Sequence, residues 1–159
     1  MIDPTGTRLA AIQAAVLCDW EFRMAKPPYE IAALDHVVVR AKNIDSMLAF
    51  YQDVLGCPLA KHNEPLGLYH LRAGLSMIDL VDMNGKLGQA GGAPPGADGR
   101  NVDHVAIRIQ PFDEAAIRAH LAAHGVEGDE VKTRFGASGD GPSLYLSDPE
   151  GNGLELKAA

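Results

Sequence analysis

Two short apolar runs carry the same polar punctuation. Leu-Asp-His-Val-Val-Val-Arg at 34–40 returns as Val-Asp-His-Val-Ala-Ile-Arg at 102–108, the two histidines standing 68 residues apart. Each run reads as a β-strand, and a helix is expected after each, with Asp45 and Asp113 at the N-cap positions. Leu48, Tyr51 and Leu55 mark the apolar face of the first helix before a stop at Gly56; Ile117 and Leu121 mark the second before Gly125. Three strands should follow in each copy. The clearest are 67–72 with 75–81, and 143–147 with 153–157, the last two joined as a hairpin by the turn Asp148-Pro149-Glu150-Gly151-Asn152. The pattern is strand, helix and three strands, written twice.

These elements divide the chain into a first module (31–83), a Gly-rich linker containing Pro94-Pro95 (84–101) and a second module (102–159). Residues 1–30 read as an appendage. Leu9, Ile12, Val16 and Trp20 fall on one helical stripe within 8–23, which predicts a docking helix, and Met24 opens a stretch that itself reads as a protein start.

Alternation along a strand assigns each polar residue a face. Leu154 and Leu156 must cover the helices, which sends Glu155 to the other side; Ile78 and Leu80 do the same for Asp79. Val37 and Val39, and Val105 and Ile107, likewise turn His36 and His104 away from the helices. His36, Asp79, His104 and Glu155 are therefore expected to converge on one concave sheet face. The same alternation assigns Asp35 and Asp103 to the opposite face. Arg40 and Arg108 share the histidines' face at the rim, where an anionic substrate could be met. Tyr69 and Tyr145 are assigned equivalent places lining the pocket, while His70 reads as readily as a structural residue. The Gly-rich stretch 136–141 lacks the lysine and following helix of a phosphate-binding loop, which leaves a lid or a hairpin connection.

Imidazole with carboxylate suits Zn, Ni, Fe, Co or Mn better than Ca or Mg. A net charge of −7 without a basic cluster argues against nucleic acid as a partner. The apolar runs are too short to span a bilayer, and the N-terminus lacks the pattern of a secretion signal. Cys18 and Cys57 have no metal-like or redox-like spacing. Together these features lead us to expect a cytoplasmic protein with a small-molecule partner.

Leu-Asp-His-Val-Val-Val-Arg, Met-Leu-Ala-Phe-Tyr-Gln-Asp-Val-Leu-Gly (47–56), the second Val-Asp-His-Val and Leu-Ser-Asp-Pro-Glu-Gly-Asn-Gly-Leu-Glu-Leu (146–156) together resemble the vicinal oxygen chelate superfamily. This is the group of glyoxalase I, bleomycin resistance proteins and extradiol dioxygenases. The resemblance covers about 34–158. It implies an α+β fold of two tandem βαβββ modules forming an incomplete β-barrel around a divalent metal, commonly in a homodimer. Carried over by position, it implies His36, Asp79, His104 and Glu155 as metal ligands and Glu155 as general base. Asp79 stands where glyoxalase I often has glutamate; without it, His36, His104 and Glu155 match the three-ligand branch. The favoured reading is a metal-dependent lyase or isomerase similar to lactoylglutathione lyase, acting through a stabilised enediolate on a substrate with vicinal oxygens, with glutathione or another thiol adduct as partner. The alternatives are an Fe(II)-dependent ring-cleaving dioxygenase and a non-catalytic binding or resistance protein.

Overall fold

The computed structural model describes residues 28–96 and 98–159; the helix expected over 8–23 lies outside the described residues. Leu34–Ala159 forms one compact unit. Its first module runs β1 (His36–Ala41), α1 (Ile44–Ala49, extended by a π-helical turn over Phe50–Val54), β2 (Leu59–Asn63), β3 (Leu68–Ala73) and β4 (Ser76–Asp82). A short helix α2 (Lys86–Ala90) sits inside the expected linker. The second module repeats the order as β5 (His104–Ile109), α3 (Glu114–Ala123), β6 (Lys132–Gly136), β7 (Gly139–Ser147) and β8 (Gly153–Ala158).

Each module makes its own four-stranded mixed sheet, in the orders β1-β4-β3-β2 and β5-β8-β7-β6. β1 pairs parallel with β4, and β5 with β8, because a helix crosses between them; the remaining pairs are antiparallel. The sheets do not close into a barrel. The fold is the expected α+β pair of βαβββ modules.

β2 and β6 are the third strand expected in each copy, whose position the hydrophobic pattern does not mark. Both are sheet edges, and Leu-Ala-Lys-His-Asn and Lys-Thr-Arg-Phe-Gly are almost wholly exposed. Nothing therefore requires the apolar alternation by which a strand is recognised. The stretch 136–141 is a hairpin connection, with Gly136 opposite Gly139. The first helix also starts earlier than expected. Asn43, not Asp45, caps it by accepting the Ser46 N–H at 3.1 Å, and Asp45 falls in the first turn. Asp113 caps α3 as expected, accepting the Ala116 N–H at 3.1 Å.

One apolar core serves both modules. Val39, Ile78, Leu80 and Leu71 from the first sheet, Leu144, Leu146, Leu154 and Leu156 from the second, and Met47, Phe50, Tyr51 and Leu121 from the helices form a single cluster. Polar bonds fix the modules at this seam. The Tyr51 hydroxyl donates to Asp148 Oδ2 at 3.2 Å, and Glu150 Oε1 accepts the backbone N–H groups of Lys42 and Asn43, each at 2.7 Å. Asp148 also accepts the Asn152 side-chain amide at 2.7 Å, so the turn that closes the β7–β8 hairpin locks the two modules as well. All core strand residues come from the helix-facing sides, so both histidine-bearing faces look away from the shared core. Among the described residues, no helix is long and apolar enough to cross a membrane.

Candidate metal centre

Register places the predicted residues on the faces that alternation assigned. Glu155 lies between Ala106 on β5 and Tyr145 on β7; Asp79 lies between Val38 on β1 and His70 on β3. Both carboxylates are buried, about 5% and 4% exposed, which is rare for an acid without a partner. His36 and His104 open the parallel strands one row away, with half-exposed side chains.

The aspartates beside the histidines do not face the other way. His36 Nδ1 donates to Asp35 Oδ1 at 2.7 Å, and His104 Nδ1 donates to Asp103 Oδ1 at the same distance. This corrects the alternation argument, for a physical reason. β1 begins at His36 and β5 at His104, so each aspartate precedes the ladder and its side chain is free of the pleat. A carboxylate can only accept here, which fixes the proton on Nδ1 and leaves Nε2 as a lone-pair donor, the arrangement metal-binding histidines show. The Asp35 hydrogen bond also raises the His36 pKa above 6.5; burial opposes this and the Asp79 charge adds to it.

Tyr145 and His70, rather than Tyr145 and Tyr69, are the matched pair. The Tyr145 hydroxyl donates to Glu155 Oε2 at 3.0 Å, and His70 Nδ1 lies 2.9 Å from Asp79 Oδ2. Tyr69 pairs with Leu80, so it points to the helix side, where it stacks on His62. The sequence comparison was one residue out of register, and a shift of one reverses the face. The two rim arginines also part company. The Arg40 guanidinium donates to the carbonyls of Gly88, Gly92 and Ala93 and so is spent on the linker. Arg108 is exposed and donates to the Ser138 hydroxyl at 2.6 Å.

Each sheet therefore carries an imidazole held by an aspartate and a buried carboxylate held by one neighbour. In the second, His104 Nε2 stands 3.4 Å from Glu155 Oε2. Two donors bonded at about 2.1 Å to one tetrahedral metal sit about 3.4 Å apart, so this spacing suits a shared ion. Asp79 Oδ1 is buried without a hydrogen-bond partner, and Glu155 Oε1 makes no hydrogen bond of good geometry, the Ser143 hydroxyl beside it being likewise unpaired. A buried carboxylate oxygen left in this state in each cup is costly unless something cationic completes it. Burial pushes the Glu155 carboxyl up, but the Ser143 and Tyr145 hydroxyls and the charges of His104 and Lys157 outweigh it, holding the pKa below its ordinary value. The donor set fits a divalent transition metal.

Within one chain the four residues lie on two separate sheets, His36 and Asp79 on the first and His104 and Glu155 on the second. No strand of one sheet pairs with the other, and no group of three metal-capable side chains forms among the described residues. The concavity over the first sheet, about 410 Å³, is lined by His36, Val38, His70, Asp79 and Leu87 but by nothing from the second. A larger hollow of about 560 Å³ beside Phe50 and Val126 lies at the helix seam and contains none of the predicted ligands.

Comparison with known proteins finds the same fold. An integron cassette protein from V. cholerae matches over 82% of this chain and 97% of its own, with 25% identity and a TM-score of 0.65. Lactoylglutathione lyase from Agrobacterium tumefaciens matches over 82% and 96% with 21% identity and a TM-score of 0.58. The fosfomycin resistance protein FosX from Listeria monocytogenes, in complex with Mn(II) and sulfate, matches over 82% and 92% with 19% identity and a TM-score of 0.60. The family model of the Glyoxalase/Bleomycin resistance protein/Dioxygenase superfamily matches residues 33–156, and the chain belongs to that superfamily.

Proposed function

We propose that this protein is a metal-dependent lyase or isomerase of the glyoxalase type, acting on a small substrate with two vicinal oxygens. In this reading it is a homodimer, in which His36 and Asp79 of one copy meet the second copy's equivalents of His104 and Glu155 to complete the ligand set. The observation that carries it is the matched construction of the two cups: an aspartate-held imidazole beside a buried carboxylate. Each cup supplies two donors, too few for a closed site, and both cups look away from the common core.

A divalent transition metal bound there supplies the Lewis acid that polarises two adjacent substrate oxygens. The protein's own part is proton transfer. Glu155 is ionised at neutral pH and Tyr145 holds its Oε2, so that the carboxylate is oriented to take a proton from carbon next to a carbonyl. His104, with Nδ1 fixed by Asp103, presents Nε2 without reorganisation. A second reading, an Fe(II) dioxygenase using His36, His104 and Glu155, draws on one observation: His70 already engages Asp79.

Metal analysis of the purified protein, with turnover of the methylglyoxal–glutathione hemithioacetal, tests the proposal. It requires about one Ni, Co or Zn per subunit and metal-dependent thioester formation. Iron with oxygen uptake on catechols would select the second reading, and ligand binding that survives loss of both His36 and His104 would contradict both.

A further inference from the structure

The two cups match in the type of their metal donors but differ in the row beyond them; Lys61 and Arg72 also lie on the first cup's face, nearer the histidine end. Arg108, Lys157, Ser143 and Lys132 are successive register partners across the whole second sheet, one row beyond Glu155. Three of the four are cationic, in a chain whose net charge is −7. Lys132 is partly offset by Glu130 at 3.4 Å. Lys157 is buried, and its ammonium donates to the carbonyls of Arg134 and Gly141 on the β6–β7 hairpin. It is therefore a charge fixed by backbone carbonyls. Gly136 makes room for it, since a Cβ there would fall 2.6 Å from Lys157 Cε. Arg108 stands in front of that charge, exposed and aimed at Ser138, with donors to spare.

The matching row of the first sheet is Arg40, Val81, Leu68 and Asn63. Arg40 is taken by the linker, so the row presents Val81 and Leu68. Val38, 48% exposed, and Leu87 of α2, 38% exposed, extend the same apolar wall. Guanidinium beside a hydroxyl, backed by a buried ammonium, recognises carboxylate or phosphoryl oxygen. A wall of Val and Leu recognises hydrocarbon. We infer that the substrate is a small amphiphilic anion, its carboxylate or phosphoryl group on Arg108 in front of Lys157, its apolar body against Val38, Leu68 and Leu87, and its vicinal oxygens between them. The inference rests on the proposed closure of one cup over the other.

Binding of phenyl phosphate, methyl phosphate and benzyl alcohol by calorimetry, with and without Co(II), tests it on the full chain. Phenyl phosphate should bind about tenfold or more tightly than either of the others. Arg108→Gln should weaken both phosphates about tenfold, and Leu87→Ser should remove most of the phenyl advantage while sparing methyl phosphate. Phosphates unaffected by Arg108→Gln, or phenyl phosphate no tighter than methyl phosphate, would overturn the inference. Co(II) absorption in the same samples separates the two claims. Cobalt bound without selective phosphate binding sinks this inference alone, and selective phosphate binding without cobalt sinks the metal reading alone.

Discussion

His104 Nε2 stands 3.4 Å from Glu155 Oε2, while Nδ1 of the same ring is held by Asp103 at 2.7 Å. One imidazole thus has one nitrogen fixed by a carboxylate and the other turned toward a second carboxylate. Asp103 sets the tautomer that makes Nε2 a donor. Asp103→Asn should weaken divalent metal binding about 10–100-fold, and His104→Ala should abolish it at that site, both measured by competition with a chromogenic chelator. Unchanged metal affinity in Asp103→Asn would show that the aspartate is incidental.

The Asp35 hydrogen bond gives His36 a pH signature. Its pKa is raised above 6.5 by that bond, with burial opposing and Asp79 assisting. The charged imidazole is therefore favoured in the folded protein: its contribution to stability is present below 6.5 and is lost as pH rises through the raised value. Protons compete with metal over the same range. NMR titration of the metal-free protein should find the His36 ring titrating above 6.5 and falling back toward that value in Asp35→Asn. An unchanged titration in the variant would contradict the assignment.

Gly153 fits where no side chain can. A Cβ there would lie 2.6 Å from the Asp103 carbonyl oxygen and 3.0 Å from His104 Cβ, so β5 and β8 touch backbone to backbone beside the histidine. Gly153→Ala must push His104 away from Glu155. The expected result is a folded protein, judged by circular dichroism, with metal binding weakened about tenfold or more. Retained affinity would mean that the histidine tolerates displacement.

The seam between modules is held by a neutral phenol on a carboxylate. Burial and the neighbouring Asp148 push the Tyr51 pKa far above its ordinary value, so the hydroxyl stays protonated and donates. Tyr51→Phe should cost about 1–3 kcal/mol in urea unfolding, because a hydrogen bond to a charged group is lost within the core. Metal binding per folded molecule should be unchanged, since Tyr51 lies on the opposite side of the sheets from the histidines.

Much of this was legible in the chain because duplication supplies its own control. Val37, Val39, Ile78 and Leu80 have counterparts in Val105, Ile107, Leu154 and Leu156, and two matching alternations leave little choice about where His36, Asp79, His104 and Glu155 point. Reading failed where alternation has no hold. β2 and β6 are exposed edges, Asp35 and Asp103 precede their ladders, and Tyr69 was matched to Tyr145 on residue type when register pairs Tyr145 with His70. The fate of Arg40 could not be read because it depends on where a Gly-rich linker returns to the sheet. The cationic row across the second sheet was scattered in sequence from Arg108 to Lys157 and becomes a row only through strand order.

A metal site shared between two copies of the chain, as proposed above, is tested directly by mixing two variants that each lack one ligand. In the proposed homodimer, His36→Ala and His104→Ala each remove one histidine from every site. Unfolded together and refolded, they form heterodimers in which one site has lost both histidines and the other has both. Recovery of tight metal binding on mixing, which neither variant shows alone, is the result the account predicts. Tight binding that never returns although heterodimers form, or that survives in either variant alone, would contradict it.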